Sequence, residues 1–242
     1  MPYPLHRYRA FAHLTSEEEK ALRALGEPEV VHQKGETFQR EGETAQGFYL
    51  HLSGWIISSV VLRSGDRLIQ KVHLPGDMLG TPNAVLASAA DSLSAITEAT
   101  TAFVPFTRFG QVFVDLPRLA ALFTIAIQME RLTLLDMLAT TSNASSNERL
   151  ARFLLDLHQR LDAIGLVHDD TFQIPLTQEQ MSDLLGVTPV HMNRTVRTFD
   201  KNGWIARRQN QVKLLDIAAL RAMSPLPLRC PAFEPDWLPA AR

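Results

Sequence analysis

The stretch from Leu176 to Asp216, LTQEQMSDLLGVTPVHMNRTVRTFDKNGWIARRQNQVKLLD, decides how the chain is read. Thr177 and Gln180 have capping-box spacing, which predicts a first helix over 178–185. Gly186 supplies a turn, and Val187 is expected to plug back into the core. Thr188 is a second N-cap, with Pro189 at the first helical position, where its missing N–H costs nothing. The second helix is predicted to run to Lys201, with Gly203 taking the left-handed cap conformation. Two capped helices joined by a glycine turn form a helix-turn-helix.

In such a unit the outward positions near the start of the second helix reach base edges. Val196 and Phe199 are expected to face inward. Thr188, Val190, His191, Asn193, Arg194, Arg197 and Lys201 form the expected DNA-contacting set, with Gln178 from the first helix. Arginine can donate two bonds to guanine and asparagine can pair with adenine, whereas Val190 offers only apolar contact, as to a thymine methyl. Arg207, Arg208 and Lys213 flank the QNQ turn, as in a wing that grips phosphates. From Val187 to Lys213, Asp200 stands alone against Arg194, Arg197, Lys201, Arg207, Arg208 and Lys213. The whole chain has a net charge of -2 and a pI near 6.4, so any nucleic-acid function must rest on this local patch. The competing readings are a solvated basic face and a protein-binding adaptor. An adaptor would show no salt-sensitive DNA affinity.

Upstream, residues 28–107 read as short strands broken by the turn signals KGE, EGE, LSG, RSGD and LPGD, a pattern of sandwiches and jelly rolls. Ahead of them, LTSEEEKALRAL is a small helix capped by Thr15 or Ser16. A long helix is expected from an Asp115 cap, with Pro117 in its first turn, to about Thr141. Leu122, Ile125, Met129 and Leu132 form one stripe on it, and Ile127, Leu134 and Leu138 another. A helix apolar on more than one face must bury more than one, so the first stripe is assigned to the same helix of a second subunit. An internal core helix of a monomer is the alternative. TTSNASSN (Thr140–Asn147) is the expected hinge, followed by an amphipathic helix with Leu150, Phe153, Leu154, Leu157 and Leu161 on one face. GLVHDDTFQIP is expected to contain a hairpin, and the proline-rich tail from Ser224 to be extended.

Length, 242 residues, allows one large or two modest domains. With Cys230 the single cysteine, no intrachain disulfide and no four-cysteine cluster is expected. The N-terminal MPYPLHRYRAF has no apolar core of a signal peptide, and the longest apolar run, Leu119–Ile127, is short for a membrane span. A soluble, cytoplasmic protein without a membrane role is expected. A metal enzyme of the cupin type, fused to a winged helix, would need a His-x-His pair, which is missing. Neither G-x-S-x-G nor a phosphate loop occurs.

The turn-rich β region with LPGD, the long helix and LTQEQMSDLLGVTPVHMNRTVRTFDKNGWI together resemble the Crp/Fnr family of transcription regulators, over roughly residues 11–223. The resemblance implies an α+β fold: a jelly-roll effector domain at 1–115, a dimerisation helix at 116–142 and a winged helix-turn-helix at 143–224, followed here by the tail 225–242. It also implies a homodimer on a palindromic promoter site, with RNA polymerase as partner of an activator. By resemblance Arg194 matches the family's guanine-reading arginine, while Val190 stands where many members carry a base-reading glutamate. Cyclic-nucleotide members hold the ribose with a Gly-Glu pair and the phosphate with an arginine some nine residues on. Here Gly80 is followed by Thr81, and Asp91, next to Ser92, takes the arginine's place. A carboxylate repels the phosphate, so no tight cyclic-AMP binding is expected and the effector is unassigned. The oxygen-sensing branch needs several cysteines. A haem-sensing member would need an axial ligand among His32, His51 and His73.

Overall fold

The computed structural model describes residues 5–26 and 28–241, so Met1–Pro4 of the N-terminal stretch, Glu27 and Arg242 lie outside it. Two helices come first, α1 (His6–Arg9) and α2 (Ser16–Leu25). Thr15 caps α2 in a full capping box: Glu18 N–H donates to its hydroxyl and the Thr15 N–H to the Glu18 carboxylate. Then come β1 (Glu29–His32), β2 (Thr37–Gln39), β3 (Gly47–Ser53), β4 (Ile56–Val61), β5 (Arg67–His73) and β6 (Met78–Leu79). A 3-10 turn at Thr81–Val85 leads to β7 (Ser92–Ala95) and β8 (Ala99–Pro105).

These strands pair antiparallel in two four-stranded sheets, ordered β1-β8-β3-β6 and β2-β7-β4-β5. Strand β3 shows why, because its side chains alternate between faces. Tyr49 packs towards the second sheet, against an inner core of Ile56, Leu79, Leu93, Ala95 and Ala99. Phe48, Leu50 and Leu52 face the other way, into a larger core with Tyr8, Leu22, Leu119 and Phe123. That core is closed by α1, α2, α3 (Phe106–Asp115) and the first half of α4 (Pro117–Asn143).

Helix α3 corrects the sequence reading. Asp115 is its last residue rather than the cap of the long helix, and Leu116 separates the two. Phe106, Phe109 and Val112 turn one face of α3 to the core, and Gly110 in its middle masks the period. Leu122 is also corrected. With Leu119, Phe123 and Ala126 it completes an i, i+3, i+4, i+7 face that is fully enclosed, so it is not available to a second subunit. Ile125 and Met129 pack at the edge of the same core. The apolar side chains left open on α4 are Leu132, Leu134, Leu135 and Leu138, the last 65% exposed.

The chain divides into two compact units, Met1–Glu130 with Pro231–Arg242, and Arg131–Cys230. The second unit holds the rest of α4, then α5 (Ser146–Asp162), β9 (Thr171–Gln173), α6 (Gln178–Leu185), α7 (Pro189–Lys201), β10 (Ile205–Arg208), β11 (Gln211–Leu214) and α8 (Ile217–Met223). The expected hinge is narrower than predicted. Helix α4 runs through Asn143, and Ser145 already caps α5. Thr140 and Ser142 turn their hydroxyls back onto the Met137 and Leu138 carbonyls, which lets small polar residues stay helical. Strand β9 joins the wing in a sheet ordered β10-β11-β9. Residues 224–241 contain neither helix nor strand, as the prolines predict.

The first unit buries charge as well as hydrocarbon. Asp77, in the LPGD turn, pairs with Arg7 and lies 3.7 Å from both Lys71 Nζ and His73 Nδ1. Lys71 in turn pairs with Glu130 on α4. Burial holds the His51 and His6 imidazoles down to about 4 and lowers His73 as well. The unfolded chain therefore binds more protons between the ordinary imidazole value of 6.5 and about 4, and stability falls as pH falls through that window. Asp91 acts in the opposite sense, since burial, with Glu130 nearby, pushes its carboxyl up to about 6. Three imidazoles outweigh one carboxyl. The urea midpoint should drop between pH 7 and pH 4.5, and His51→Asn should flatten the drop; an unchanged slope in that variant would remove His51 from the account.

Candidate nucleic-acid interface

Helices α6 and α7 have the bounds that their caps predict. Thr177 accepts from the Gln180 N–H at 3.1 Å, and the Gln180 side chain accepts from the Thr177 N–H at 2.9 Å. Gly186 closes α6 at φ 61°, a left-handed conformation that costs a residue with a Cβ about 1 kcal/mol or more. Val187, expected in the core, is only half-buried; its N–H donates to the Ser182 carbonyl at 3.0 Å. Thr188 caps α7, accepting from the His191 N–H at 3.3 Å.

The two faces of α7 then separate cleanly. Met192, Thr195, Val196 and Phe199, at i, i+3, i+4 and i+7, are buried. Val190, Arg194, Arg197 and Lys201 form an exposed stripe at i, i+4, i+7 and i+11, with Thr188 and His191 exposed beside its start. Val190 is 78% exposed, so its apolar side chain is open at the start of the stripe. Asn193 is half-buried, and its amide donates to the Pro189 carbonyl at 3.1 Å, so one of its two donors is engaged within the helix. Gln178 is exposed at the start of α6, where free backbone N–H groups favour an anion.

The wing is the β10–β11 hairpin with a two-residue turn, Gln209 at φ 55° and Asn210. Arg207 and Arg208 are exposed on its first strand. Among the described residues Arg194, Arg197, Lys201, Arg207 and Arg208 have no ion-pair partner. Lys213 differs, because it pairs with Asp169. That pair follows from the hairpin expected in GLVHDDTFQIP: His168 and Thr171 exchange both backbone hydrogen bonds at 3.0 Å around Asp169 and Asp170, which take positive φ, 49° and 54°. Asp170 accepts from His158 at 2.9 Å. Five exposed, unpaired cations on α7 and the wing give this unit a positive potential with nothing internal to neutralise it.

Sequence reasoning also missed Arg149 on α5. Its Nε donates to the Ala144 carbonyl at 2.9 Å, just beyond α4, and its Nη2 to the Thr141 carbonyl at 2.7 Å, in the last turn of α4. Its Nη1 donates to Leu185 at 2.9 Å and Gly186 at 3.0 Å, at the end of α6. One guanidinium thus satisfies the orphan carbonyls and negative ends of two helices. Asp136, buried on α4, takes Arg152 at 3.2 Å and Arg229 at 2.9 Å. Neither role is visible in sequence spacing, because Leu185 and Gly186 lie 36 and 37 residues from Arg149 and Arg229 lies 93 from Asp136.

In the β unit, Gly80 sits at φ 74°, and a Cβ there would meet Asn83 Nδ2 at 3.0 Å and Gln39 Oε1 at 3.3 Å. The Asp91 carboxylate accepts from Gln39 Nε2 at 3.1 Å, and Asn83 donates to Gln39 Oε1 at 3.2 Å. Gly80 and Asp91 therefore share one buried amide network. Thr81 opens the 3-10 turn, and the Ser92 hydroxyl accepts from the Glu41 N–H at 3.0 Å. His32 is bonded to Thr101 at 2.8 Å and stacks on Phe38, while His51 and His73 bond Ser53 and Ser58. Among the described residues no group of three or more His, Cys, Asp or Glu is placed to hold a metal, and no helix is long and apolar enough to cross a membrane.

Known proteins share this arrangement. Residues 148–223 match the Crp-like helix-turn-helix domain and residues 29–115 the cyclic nucleotide-binding domain. The nitrogen fixation regulation protein FixK of Bradyrhizobium diazoefficiens is 30% identical over 191 residues, covering 78% of this chain and 79% of FixK. The transcriptional activator FnrA of Stutzerimonas stutzeri is 26% identical over 191 residues, 79% of this chain and 78% of FnrA. The structure of FixK2 from Bradyrhizobium japonicum has the same fold, with a TM-score of 0.75 over 83% of this chain and 98% of that one at 22% identity. A winged helix-turn-helix with an unpaired basic face, joined to a β roll of the cyclic-nucleotide-binding type, is a DNA-binding transcription regulator. The chain belongs to the Crp/Fnr family.

Arg149→Met keeps the stem but loses four carbonyl contacts, and should cost the second unit about 2–3 kcal/mol in denaturant unfolding. A loss below about 0.5 kcal/mol would show that water replaces the guanidinium at both helix ends.

Proposed function

We propose that the protein acts as a homodimer on a palindromic promoter site, reading bases with the first turns of α7 and gripping phosphates with the wing. The observation that carries this reading is the exposed, unpaired stripe of Arg194, Arg197 and Lys201 beside Arg207 and Arg208. The Thr188 cap leaves Val190, His191 and Arg194 at the end of α7 that enters a groove, with Arg194 donating to a guanine and Val190 selecting an apolar neighbour such as thymine. Val190 in place of a polar side chain gives an operator whose half-site differs from that of glutamate-bearing relatives.

The second subunit is inferred from the open leucines in the second half of α4, Leu132, Leu134, Leu135 and Leu138, of which Leu132 belongs to the stripe expected at the dimer seam, even though Leu122 is internal. A cytoplasmic regulator that contacts RNA polymerase when it activates fits this site, and no catalytic step is assigned to the chain. In the β roll, Asp91 offers a cyclic phosphate a carboxyl where an arginine would attract it, and Gln39 already occupies the amide network at Gly80. We therefore assign no cyclic nucleotide, iron–sulfur cluster or haem to this chain, and leave the effector unnamed.

Arg194→Ala should remove about 1–3 kcal/mol of specific binding and relax one base position. Arg207→Ala should weaken all sequences alike and reduce the salt slope by about 1. An unchanged ratio of specific to nonspecific affinity in Arg194→Ala, measured by competition on sites selected from random DNA, would overturn the base-reading assignment. Calorimetry with cyclic AMP should show no binding in the micromolar range; a saturating isotherm there would reverse the reading of Asp91.

A further inference from the structure

The tail is fastened at two places. Up to Cys230 it belongs to the DNA-binding unit, where Arg229 makes a bidentate pair with buried Asp136 at 2.9 and 3.0 Å and the Leu226 carbonyl accepts from Arg152 at 3.0 Å. From Pro231 it belongs to the β-roll unit. There the Glu234 N–H donates to the Phe11 carbonyl at 2.7 Å, and the His13 N–H donates to Glu234 Oε1 at 3.1 Å. Phe233 meets the His13 ring edge-on at 5.0 Å, and Leu238 packs against the core of Phe48, Leu119 and Phe123.

The receiving surface is built rather than incidental. Arg118, buried on α4, holds both oxygens of Glu18 at 2.8 and 2.7 Å and donates to the His13 carbonyl at 3.1 Å. That fixes the His13 backbone and leaves Arg118 Nη2 3.6 Å from Glu234. A terminal segment without helix or strand normally frays. This one instead adopts φ 44° at Glu234, a conformation costly for a non-glycine residue, and recovers the cost through backbone, carboxylate and apolar contacts.

We propose that this surface of the β roll, formed by Phe11, His13 and Arg118, is a peptide-docking site whose occupant is the chain's own Phe233–Leu238 segment. Docking fastens the segment after the Cys230–Pro231 peptide bond, so the chain is anchored on both sides of a second passage between the units, beside the one in α4. The tail thereby limits the orientations open to the DNA-binding unit. Binding two half-sites costs less entropy when that freedom is already restricted, so an undocked tail weakens DNA binding.

The test uses the full-length protein and the variants Glu234→Arg and Glu234→Gln. Hydrogen exchange should show residues 232–239 protected in the wild type and in Glu234→Gln, with protection falling about tenfold in Glu234→Arg. A synthetic peptide of residues 231–242 added to Glu234→Arg should restore protection over residues 8–14, and the same peptide carrying Glu234→Arg should not. DNA affinity should fall about threefold in Glu234→Arg and stay unchanged in Glu234→Gln. Exchange of 232–239 in the wild type at the rate of an unstructured peptide would overturn the docking site. Lost protection with unchanged DNA affinity would overturn the tether. The affinity arm rests on the two-half-site reading above and the exchange arm does not, so failures of the two are distinguishable.

Discussion

The Arg149 guanidinium is the contact on which the DNA-reading part of the molecule depends. The Thr177 capping box starts α6 but does not relate it to α4. Arg149 does so by donating to four carbonyls at helix ends: Thr141 in the last turn of α4 and Ala144 just after it, Leu185 at the end of α6 and Gly186 just after it. A cation at two helix C-termini meets two negative dipole ends together, and its planar fork serves both without a change of rotamer. Because Gly186 is both the turn of the helix-turn-helix and an acceptor of Arg149, the direction in which α7 leaves the turn is tied to α5.

The β roll is organised by a different constraint, the need to satisfy charge that its core encloses. Asp77 is held by Arg7, Lys71 and His73, and Lys71 by Glu130. A pair of this kind is weak support for stability in itself, since desolvation offsets most of its attraction, but loss of one member leaves the others buried and unpaired. The network therefore fixes the LPGD turn, β5 and α4 as one set rather than strengthening any one of them. The nearby Gln39–Asn83–Asp91 chain of hydrogen bonds closes on itself in the same way, leaving the region polar yet internally satisfied.

Local chemistry made much of the architecture legible beforehand. The caps at Thr15, Thr177 and Thr188 and the turn at Gly186 act over three or four residues, so sequence alone places the helices they start and stop. The short strands between turn signals and the inward positions Val196 and Phe199 of α7 were readable for the same reason. Helix α3 escaped because Gly110 and two phenylalanines imitate the end of a strand region. Leu122 was assigned to the wrong partner because periodicity identifies an apolar face without saying what covers it. The extent of the hinge was misjudged because serine and threonine can bond backward within a helix as readily as forward into a turn.

The sequence by itself determined most of the order of elements and the basic residues of α7 and its wing. Each of these depends on residues close together in the chain or on side-chain charge alone. Tertiary structure decided which cations stay unpaired, since Lys213 is neutralised by Asp169 while Arg207 and Arg208 are not. It also decided that Arg149 and Asp136 hold the second unit together and that the proline-rich tail ends on Phe11 and His13. Those contacts join positions from 5 to 223 residues apart, and only the packing of the folded chain brings them within hydrogen-bond distance.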